Sequence, residues 1–316
     1  MNRRAARAGW VVAAAAGAVL SCAPAYDAQT LYNQLQSNDL EERQDAAEKI
    51  DTIMHDGHYD VFVRGALGPV KPNRVTSLIY LSRMTQPEAR AAMRDFLRLD
   101  RRSMIPYNPI RMKPSTEETD SRILVAHLIA ESGGDPGATD ALLDGVAGQP
   151  ADVIAGTCYA LGALRDPKGV PFLATAARHQ DIEVARAAAQ ALGMFRTSEA
   201  RAALKSLVHH PSQEVRSEVF SALEIQEDPA VVEILETMAA SDPSPEIRAS
   251  AMGQLGRFKE KSPVPFLIEQ LKGKDDNNRR AALDTLRLMS GQAYGPRPES
   301  WARWWEQNQK SFVGRP

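Results

Sequence analysis

The amino-acid sequence predicts an all-α protein in which pairs of helices repeat along the chain as an α-solenoid. Hydrophobic residues make up 43% of its 316 residues but aromatic residues only 6%. That balance is typical of closely packed helices with a core of Ala and Leu, and untypical of a β-sandwich. The sequence also repeats with a period of 31 or 32 residues, in segments that start at positions 135, 166, 197, 228 and 260. A repeat array has no single core that limits its length.

Two leucine positions recur in register within this period. One is the eighth residue of each segment and the other lies near its end: Leu142, Leu173, Leu204, Leu235 and Leu267, then Leu161, Leu192, Leu223, Leu255 and Leu286. Each segment reads as a short first helix followed by an Ala-rich second helix. A single pair cannot bury its apolar face, so neighbouring pairs must stack to form the core. We expect these leucines to be structural.

The turns between the helices carry recognisable chemistry. Asp-Pro pairs at positions 135, 166 and 228 separate one repeat from the next, because a residue before proline avoids the α region. Inside one repeat, Ser244 suits the N-cap of the second helix, Pro245 its first position, and Glu246 the positive end of the helix dipole.

The second helices carry an arginine, a small or aliphatic residue and a leucine at spacing i, i+3, i+7, which lie along one helical face. This set is Arg216, Val219 and Leu223, then Arg248, Ala251 and Leu255, then Arg279, Ala282 and Leu286. In two repeats the arginine position holds Ile154 and Ala185 instead. The pattern resembles the HEAT-repeat family. The resemblance implies a right-handed α-solenoid of about eight HEAT-type helix pairs, with the second helices lining a concave face.

The amino-terminal residues have the pattern of an export signal. A basic segment, MNRRAARAG, precedes an apolar run too short to span a bilayer as a helix. The sequence that ends at Ser21 and Cys22 resembles a lipoprotein lipobox, which predicts lipid attachment to Cys22 as the membrane anchor. The predicted organisation is a signal peptide at 1–21, a short tether at 22–27, the solenoid at 28–291 and a cap at 292–316. The alternative is a plain signal peptide and a soluble periplasmic protein.

The carboxyl-terminal segment departs from the repeat and concentrates tryptophan. Trp301, Trp304 and Trp305 have the spacing i, i+3, i+4, and Ser300 is the expected N-cap of a Trp-rich capping helix. Repeat arrays need a terminal element with one face for the core and one for water. We therefore expect the tryptophans to cover the last repeat, with a partner dock as the alternative.

An insertion at 98–117 interrupts the period, and we expect it to be a loop. It mixes basic and apolar residues, and long loops in compact repeats are often functional. The candidate partner contacts are Arg101, Arg102, Tyr107, Arg111 and Lys113. This loop could contact anionic lipid or an acidic partner, or its apolar residues could pack back on the solenoid.

No catalytic motif or zinc spacing stands out in the sequence. HEAT-like hydroxylases use His-Glu pairs, but none of the six histidines precedes a glutamate. Bilin-attaching lyases are cytoplasmic, which the export signal argues against. The segment MHDGHYD gathers His55, Asp56, His58 and Asp60, which leaves a metal-binding or enzymatic solenoid as an alternative, although turn chemistry explains these residues too.

Together these observations predict a non-enzymatic scaffold that is anchored by lipid in the bacterial cell envelope, at the outer membrane or periplasmic face. We expect it to bind protein partners and to need no cofactor. A formal net charge of -2 gives no basic field for nucleic acid.

Overall fold

Helices account for almost all of the regular structure in the described part of the chain. The computed structural model describes residues 28–35, 37, 39–55, 59–67, 71–84, 86–98, 104–108, 113–132, 134–226, 228–258 and 263–312. These residues contain seventeen α-helices, two short 3₁₀ helices and one pair of strands. The predicted all-α solenoid class is confirmed. The predicted signal peptide, Cys22 and the tether lie outside the described residues.

The described residues divide into two compact units. One unit comprises those up to residue 96 together with 104–121, and the other comprises those in 97–103 and 122–316. Among the described helices, none combines the length and the apolar character that crossing a bilayer requires.

The first unit packs helices around an aromatic centre. Its elements are α1 (Ala28–Gln34), α2 (Leu40–His55), α3 (Tyr59–Leu67), α4 (Lys71–Arg83), α5 (Pro87–Leu97), β1 (Met104–Asn108) and β2 (Lys113–Asp120). Phe62 is fully buried. The centroid of its ring lies 5.9 Å from that of Tyr32, which is edge-on, and 5.4 Å from that of Tyr80. The Tyr32 and Ser77 hydroxyls share a hydrogen bond of 2.9 Å. A Cβ atom at Gly65 would overlap both hydroxyls, so this helix crossing requires glycine.

The insertion that the sequence predicts as a loop forms a β-hairpin, so that prediction is wrong. The antiparallel strands pair Ile105 with Thr119 and Tyr107 with Pro114, with an irregularity between these pairs. Strand pairing satisfies backbone groups that an extended loop would leave to water. The strands are hard to recognise in the sequence because the segment contains three prolines, at positions 106, 109 and 114. Proline normally marks turns or edge strands. Ile105 is fully buried, and β1 packs against α4.

The second unit begins at α6 (Ser121–Glu131) and continues as five helix pairs. The first helices are α7 (Ala138–Asp144), α9 (Val170–Ala176), α11 (Ser198–Ser206), α13 (Val232–Ser241) and α15 (Pro263–Gln270). The second helices are α8 (Ala151–Leu164), α10 (Ile182–Gly193), α12 (Gln213–Glu224), α14 (Pro245–Leu255) and α16 (Asp276–Ser290), and α17 (Pro298–Asn308) ends the series. All ten leucines of the two predicted columns are at most 1% exposed. These leucines therefore form the centre of the stacked pairs.

The predicted turn chemistry is present at the helix ends. Ser244 is the N-cap of α14, where its hydroxyl accepts a hydrogen bond from Ile247 N, and Pro245 is the first helical residue. Asp166 and Asp228 each cap a 3₁₀ turn, Pro167–Gly169 and Pro229–Val231, that leads directly into the next first helix. The Asp-Pro pairs thus end one repeat and start the next, as predicted.

Successive second helices approach closely at small residues. At Gly193, the last residue of α10, an added Cβ would lie 2.6 Å from Ala222 Cβ of α12. At Gly162 of α8 the corresponding distance to Ala191 Cβ of α10 is 3.0 Å. At these residues the backbones of neighbouring second helices lie close together, so the second helices form a continuous layer.

Candidate partner-binding surface

The arginine column of the second helices closes the turns that precede these helices. Arg216 Nη1 donates to the His210 carbonyl at 2.8 Å, and Arg248 Nη1 donates to the Asp242 carbonyl at 2.7 Å. Arg279 repeats the same contact with the carbonyl of Gly273, again six residues earlier. Each arginine satisfies a carbonyl of the turn between the two helices of its repeat. The sequence pattern places these arginines on one face but does not show this role.

Two of the arginines also join neighbouring repeats. The guanidinium of Arg216 binds both carboxylate oxygens of Asp242, at 2.9 and 3.2 Å, and the two side chains are 4% and 0% exposed. Arg248 reaches Asp275 of the next repeat at 2.6 Å and Asn278 at 3.0 Å. These contacts are buried or half-buried, and they occupy the guanidinium groups of both arginines within the stacked repeats. The arginine column is therefore structural and is not a binding surface.

A different set of polar residues meets on the exposed side of three consecutive second helices. Arg186 of α10 pairs with Glu183 of its own helix at 2.9 Å and with Glu218 of α12 at 3.8 Å. Tyr159 of α8 is half-buried, and the charges of Glu218 and Arg186 both act on its hydroxyl. We call Tyr159, Glu183, Arg186 and Glu218 the second-helix patch.

The environment of the patch changes the titration of its members. Burial raises the pKa of Glu218, and nearby Glu183 adds to that shift while Arg186 opposes it. Burial also raises the pKa of Tyr159, and the charge of Glu218 acts in the same direction. The phenol therefore remains protonated at neutral pH, as both a donor and an acceptor. Clusters of groups with shifted pKa values are more frequent at functional surfaces than elsewhere.

Another group with a shifted pKa lies on α6. His127 of α6 is half-buried, and burial lowers its pKa; Glu131 opposes this shift and Arg165 adds to it. Since the lowered pKa favours the neutral imidazole, His127 offers a hydrogen-bond donor and an acceptor at neutral pH. His127 lies two residues before buried Ile129 of α6, as Tyr159 lies two residues before Leu161 of α8.

Sequence reasoning missed the second-helix patch. Its members have no common spacing along the chain, and they meet only because α8, α10 and α12 stack. One signal was present: Ala185 departs from the arginine column, and Arg186 follows it directly. Moving an arginine by one residue rotates it from the buried turn to the exposed side of the helix.

The predicted loop contacts are only partly within the described residues. Arg101, Arg102 and Arg111 lie outside them. Tyr107 stands in β1 and Lys113 opens β2, opposite Asn108. Their role in partner binding stays a prediction.

The histidine cluster is also only partly described. His55 ends α2 and Asp60 lies in the first turn of α3, where its carboxylate pairs with Arg64 at 3.3 Å. Asp56 and His58 lie outside the described residues. Within the described ranges, no group of three or more His, Cys, Asp or Glu side chains is placed to hold a metal ion.

The tryptophans of α17 form an aromatic cluster against the last repeat. Trp301 is fully buried and Trp304 is 8% exposed, while Trp305 is half-buried. Trp301 Nε1 donates to the Gly295 carbonyl at 3.0 Å, and Phe312 packs edge-on against Trp304 and Trp305. The helix contacts α15, the first helix of the last pair. Docking of a partner on these tryptophans stays a prediction.

The predicted start of this helix is wrong. Arg297 is its N-cap residue and Pro298 its first residue, so Ser300 lies inside the first turn. Proline has a fixed φ suited to the first helical position and lacks an N–H that would need a partner there. This preference moves the helix start before the serine.

Comparison with known proteins locates the chain among helical-repeat folds. The HEAT-repeat family matches residues 139–224, 170–253 and 232–297, which together span just over half of the chain. No curated protein matches the chain significantly. Among solved structures, the E. coli protein YibA is 17% identical with a TM-score of 0.40, covering 83% of this chain and 93% of that chain.

Two further solved structures come from proteins that are named as enzymes. Human deoxyhypusine hydroxylase in complex with glycerol is 17% identical with a TM-score of 0.31, covering 76% of this chain and 98% of that chain. The complex of CpcE and CpcF of phycocyanin lyase from Nostoc sp. PCC7120 is 16% identical with a TM-score of 0.33, covering 85% and 98%. At these identities and TM-scores the likeness concerns the fold and assigns no activity to this chain.

One prediction is corrected here. The prediction that the chain is not an enzyme does not stand as made, because solved structures of this kind include proteins named as a hydroxylase and a lyase. The lack of a recognised catalytic motif therefore does not exclude an enzymatic role. The leucine columns, the stacked helix pairs and the family match agree with one another, and they show that this chain belongs to the HEAT-repeat family.

Proposed function

We propose that this HEAT-repeat protein binds a protein partner along its second helices and is held in the bacterial cell envelope by a lipid on Cys22. One observation carries the binding proposal. Tyr159, Arg186 and Glu218 come from three successive repeats and meet on one side of the second helices. A surface assembled from several repeats is the kind that repeat arrays use for extended partners.

The chemistry of the patch favours a partner segment with basic and hydrogen-bonding groups. Glu183 and Glu218 outnumber Arg186, so the patch carries one excess negative charge. The Glu183 carboxylate is 68% exposed and is therefore accessible to a ligand. Tyr159 adds a hydroxyl that can donate or accept. Complementary charge would orient such a partner and speed its association.

The same layer of helices presents further acids near the patch. Glu214 and Glu246, in the first turns of α12 and α14, are both exposed. Hydrogen bonds from Ser212 and Ser244 lower their pKa values, so both carboxylates are ionised at neutral pH. These acids extend the negative surface along successive repeats, which fits an extended basic segment rather than a single small ligand.

The anchoring proposal is supported by the sequence before the first helix. Ser21 and Cys22 follow a basic and then an apolar segment, in the pattern of a lipobox. Acyl chains contribute about 0.8 kcal/mol per buried CH₂, and two or more chains hold a protein durably on a bilayer. The hairpin residues Tyr107 and Lys113, with Arg101, Arg102 and Arg111, supply a second candidate contact.

Charge reversal at Glu183 tests the binding proposal. Glu183→Lys reverses the most exposed charge of the patch, and Glu233→Lys makes the same change on first helix α13, where the carboxylate is 73% exposed. Partners crosslinked in native envelopes would be quantified for both variants. We expect Glu183→Lys to reduce recovery of a specific partner and Glu233→Lys to leave it unchanged. Equal recovery with both variants would reject the patch as the binding surface.

Membrane fractionation tests the anchoring proposal separately. Cys22→Ala removes the proposed lipid attachment atom, whereas Cys158→Ala changes a fully buried cysteine in the repeat core. We expect Cys22→Ala to release the protein from the membrane fraction and Cys158→Ala to keep it there. Retention of Cys22→Ala in the membrane would contradict lipid anchoring.

A further inference from the structure

We propose that Glu218 makes partner binding at the second-helix patch depend on pH. The partner is held while the Glu218 carboxylate is charged, and it is released when this carboxylate takes up a proton. The inference rests on the proposed function, since it concerns the regulation of the same site. Its support comes from the position of Glu218 between two helices, from the charges around it, and from the contrast with the other carboxylates of the layer.

The Glu218 carboxylate receives little compensation from the rest of the chain. Its side chain is 19% exposed, whereas that of Glu183 in the same patch is 68% exposed. Its ion-pair partner is Arg186 of α10, whose Nη2 lies 3.8 Å from Oε2, which is too far for a hydrogen bond. Within the described part of the chain, no group donates a hydrogen bond to Glu218. A charge that is mostly removed from water and bonded to no donor is readily lost to protonation.

The neighbouring helices place opposing charges around this carboxylate. Burial is the largest effect and raises the pKa of Glu218; Arg186 of α10 opposes the shift and Glu183 of α10 adds to it. Tyr159 of α8 faces the same carboxylate, because the charge of Glu218 acts on its phenol. Burial raises the pKa of that phenol, so it stays uncharged while Glu218 titrates. Glu218 is therefore the member of the patch that is prepared to change charge.

The other charged residues of α12 and of α14, which packs against it, do not act on Glu218. These residues are Glu214, Arg216 and Glu224 on α12, and Glu246 and Arg248 on α14. Among the described charges, those that shift the pKa of Glu218 belong to Arg186 and Glu183. Hydrogen bonds from Ser212 and Ser244 lower the pKa values of Glu214 and Glu246, so both stay charged at pH values at which Glu218 takes up a proton. The change of charge is thus confined to the patch.

Protonation of Glu218 removes the net charge of the patch. Two carboxylates and one guanidinium carry one excess negative charge, and with Glu218 neutral the charges of Glu183 and Arg186 cancel. The attraction for a basic partner then weakens. A bound cationic group in turn favours the charged carboxylate, so binding lowers the pKa of Glu218 and expels the proton. Because one proton is exchanged, the affinity falls by at most about tenfold per pH unit as the pH drops through the raised pKa of the unbound patch.

Photocrosslinking across a pH series tests the inference on the full chain in isolated envelopes. Tyr159 is replaced by p-benzoylphenylalanine, and the yield of the crosslinked product is measured from about pH 7.5 to about pH 4.5, close to the ordinary pKa of glutamate. We expect the yield to fall at least about threefold over this range. In Glu218→Gln, which holds the neutral form, the yield should be low and constant. Glu233→Gln is the matched control, since its carboxylate is 73% exposed on first helix α13, and it should show the same fall as the parent.

Two variants that leave Glu218 in place give a second readout. Arg186 holds the pKa of Glu218 down against burial, so Arg186→Gln should move the midpoint of the pH dependence to higher pH. Glu183 acts in the opposite direction, so Glu183→Gln should move the midpoint to lower pH. Circular dichroism of each variant would verify that the helices are retained.

The outcomes separate this inference from the proposed function. A yield that does not change with pH in the parent would overturn the inference and leave partner binding in place. An equal fall in Glu218→Gln, which another titrating group such as His127 would produce, would overturn it in the same way. Midpoints that move against the stated directions in Arg186→Gln and Glu183→Gln would also overturn it. No crosslinked product at any pH would reject the proposed function itself, and the inference with it.

Discussion

Arg216 and Asp242 form a two-point ion pair that is buried between successive repeats, with Nε to Oδ2 at 2.9 Å and Nη2 to Oδ1 at 3.2 Å. It joins second helix α12 to the turn before α14. The same arginine binds the carbonyl of His210 in its own turn, so one side chain fixes the turns of two repeats. Buried charges of this kind are costly to separate, because neither can be solvated alone.

Breaking this pair is predicted to destabilise the second unit strongly. Asp242→Asn retains the shape and an acceptor for Ser244 N but leaves Arg216 as an uncompensated buried charge. We expect a loss of about 3–5 kcal/mol in the free energy of unfolding, measured by urea denaturation followed by circular dichroism. Asp276→Asn is the control, since its carboxylate is 85% exposed in its pair with Arg279. A similar loss in both variants would contradict the structural role of the buried pair.

Two glycines of the second helices are predicted to respond to alanine in opposite directions. At Gly193 an added Cβ would lie 2.6 Å from Ala222 Cβ and 2.9 Å from its Cα. Gly193→Ala should therefore separate α10 from α12 and cost about 1–3 kcal/mol. At Gly253 an added Cβ meets nothing within 4 Å. Gly253→Ala should stabilise α14 by up to about 1 kcal/mol through helix propensity. The midpoint of thermal unfolding, measured for both variants, tests this prediction. A shift of the midpoint in the same direction in both variants would contradict the close packing at Gly193.

Cys158 is predicted to be inert in the native protein. It is fully buried in α8, and burial raises the pKa of its thiol to about 12. The reactive thiolate is therefore almost absent at pH values where free cysteine reacts readily. In the Cys22→Ala variant, labelling with a thiol reagent should be negligible until urea unfolds the repeats, and it should then be complete. Rapid labelling under native conditions would contradict the close packing of α8 against α10.

Glu218 is predicted to give stability an unusual dependence on pH. Burial raises its folded-state pKa above the ordinary value of a glutamate side chain. The folded state therefore holds this proton more tightly than the unfolded state, so the contribution of Glu218 falls as pH rises through that range. In Glu218→Gln this contribution disappears, so from about pH 4 upward, where glutamate begins to titrate in the unfolded chain, stability should rise more steeply with pH than in the wild type.

Glu269 of α15 provides the control for this measurement, since its carboxylate is 67% exposed and its charge is not one of those that act on Glu218. Urea midpoints at several pH values would be compared for Glu218→Gln and Glu269→Gln. We expect the change in slope in Glu218→Gln. An unchanged slope in Glu218→Gln would show that this carboxyl titrates as it does in the unfolded chain.

Trp301 and Trp305 are predicted to differ in their contribution to stability. Trp301 is fully buried and bonded to the Gly295 carbonyl, while Trp305 is half-buried against Phe312. Trp301→Ala should cost about 3–5 kcal/mol in the last repeat, and Trp305→Ala should cost clearly less. Hydrogen exchange of α15 and α16 would locate the loss. Equal protection of α15 and α16 from hydrogen exchange in both variants would contradict a capping role for Trp301.

The repeated features of the fold could be predicted from the sequence because they are local. The leucine columns, the Asp-Pro breaks and the Ser244 cap each depend on residues within one helix or one turn. The β-hairpin could not be predicted, since its prolines resemble turn signals and its strands are stabilised by pairing with each other. The start of α17 was misplaced because Pro298 and Ser300 both suit a helix amino terminus.

The candidate site was less accessible to sequence reasoning than the core. Arg216 and Asp242 are separated by most of a repeat, and nothing local indicates that they meet. Tyr159, Arg186 and Glu218 lie at different positions of their repeats, and only the stacking of three helices brings them together. Such contacts depend on the offset between neighbouring helices, which helical periodicity alone does not determine.

Photocrosslinking from position 159 tests the central claim most directly. Tyr159 would be replaced by p-benzoylphenylalanine, which retains an aromatic ring on the second-helix patch, and Lys205 of α11 would be replaced in the same way as a control on the first helices. After irradiation of intact envelopes, we predict a discrete crosslinked product with one protein from position 159 and none of that size from position 205. No product from position 159, or the same product from both positions, would contradict partner binding along the second helices.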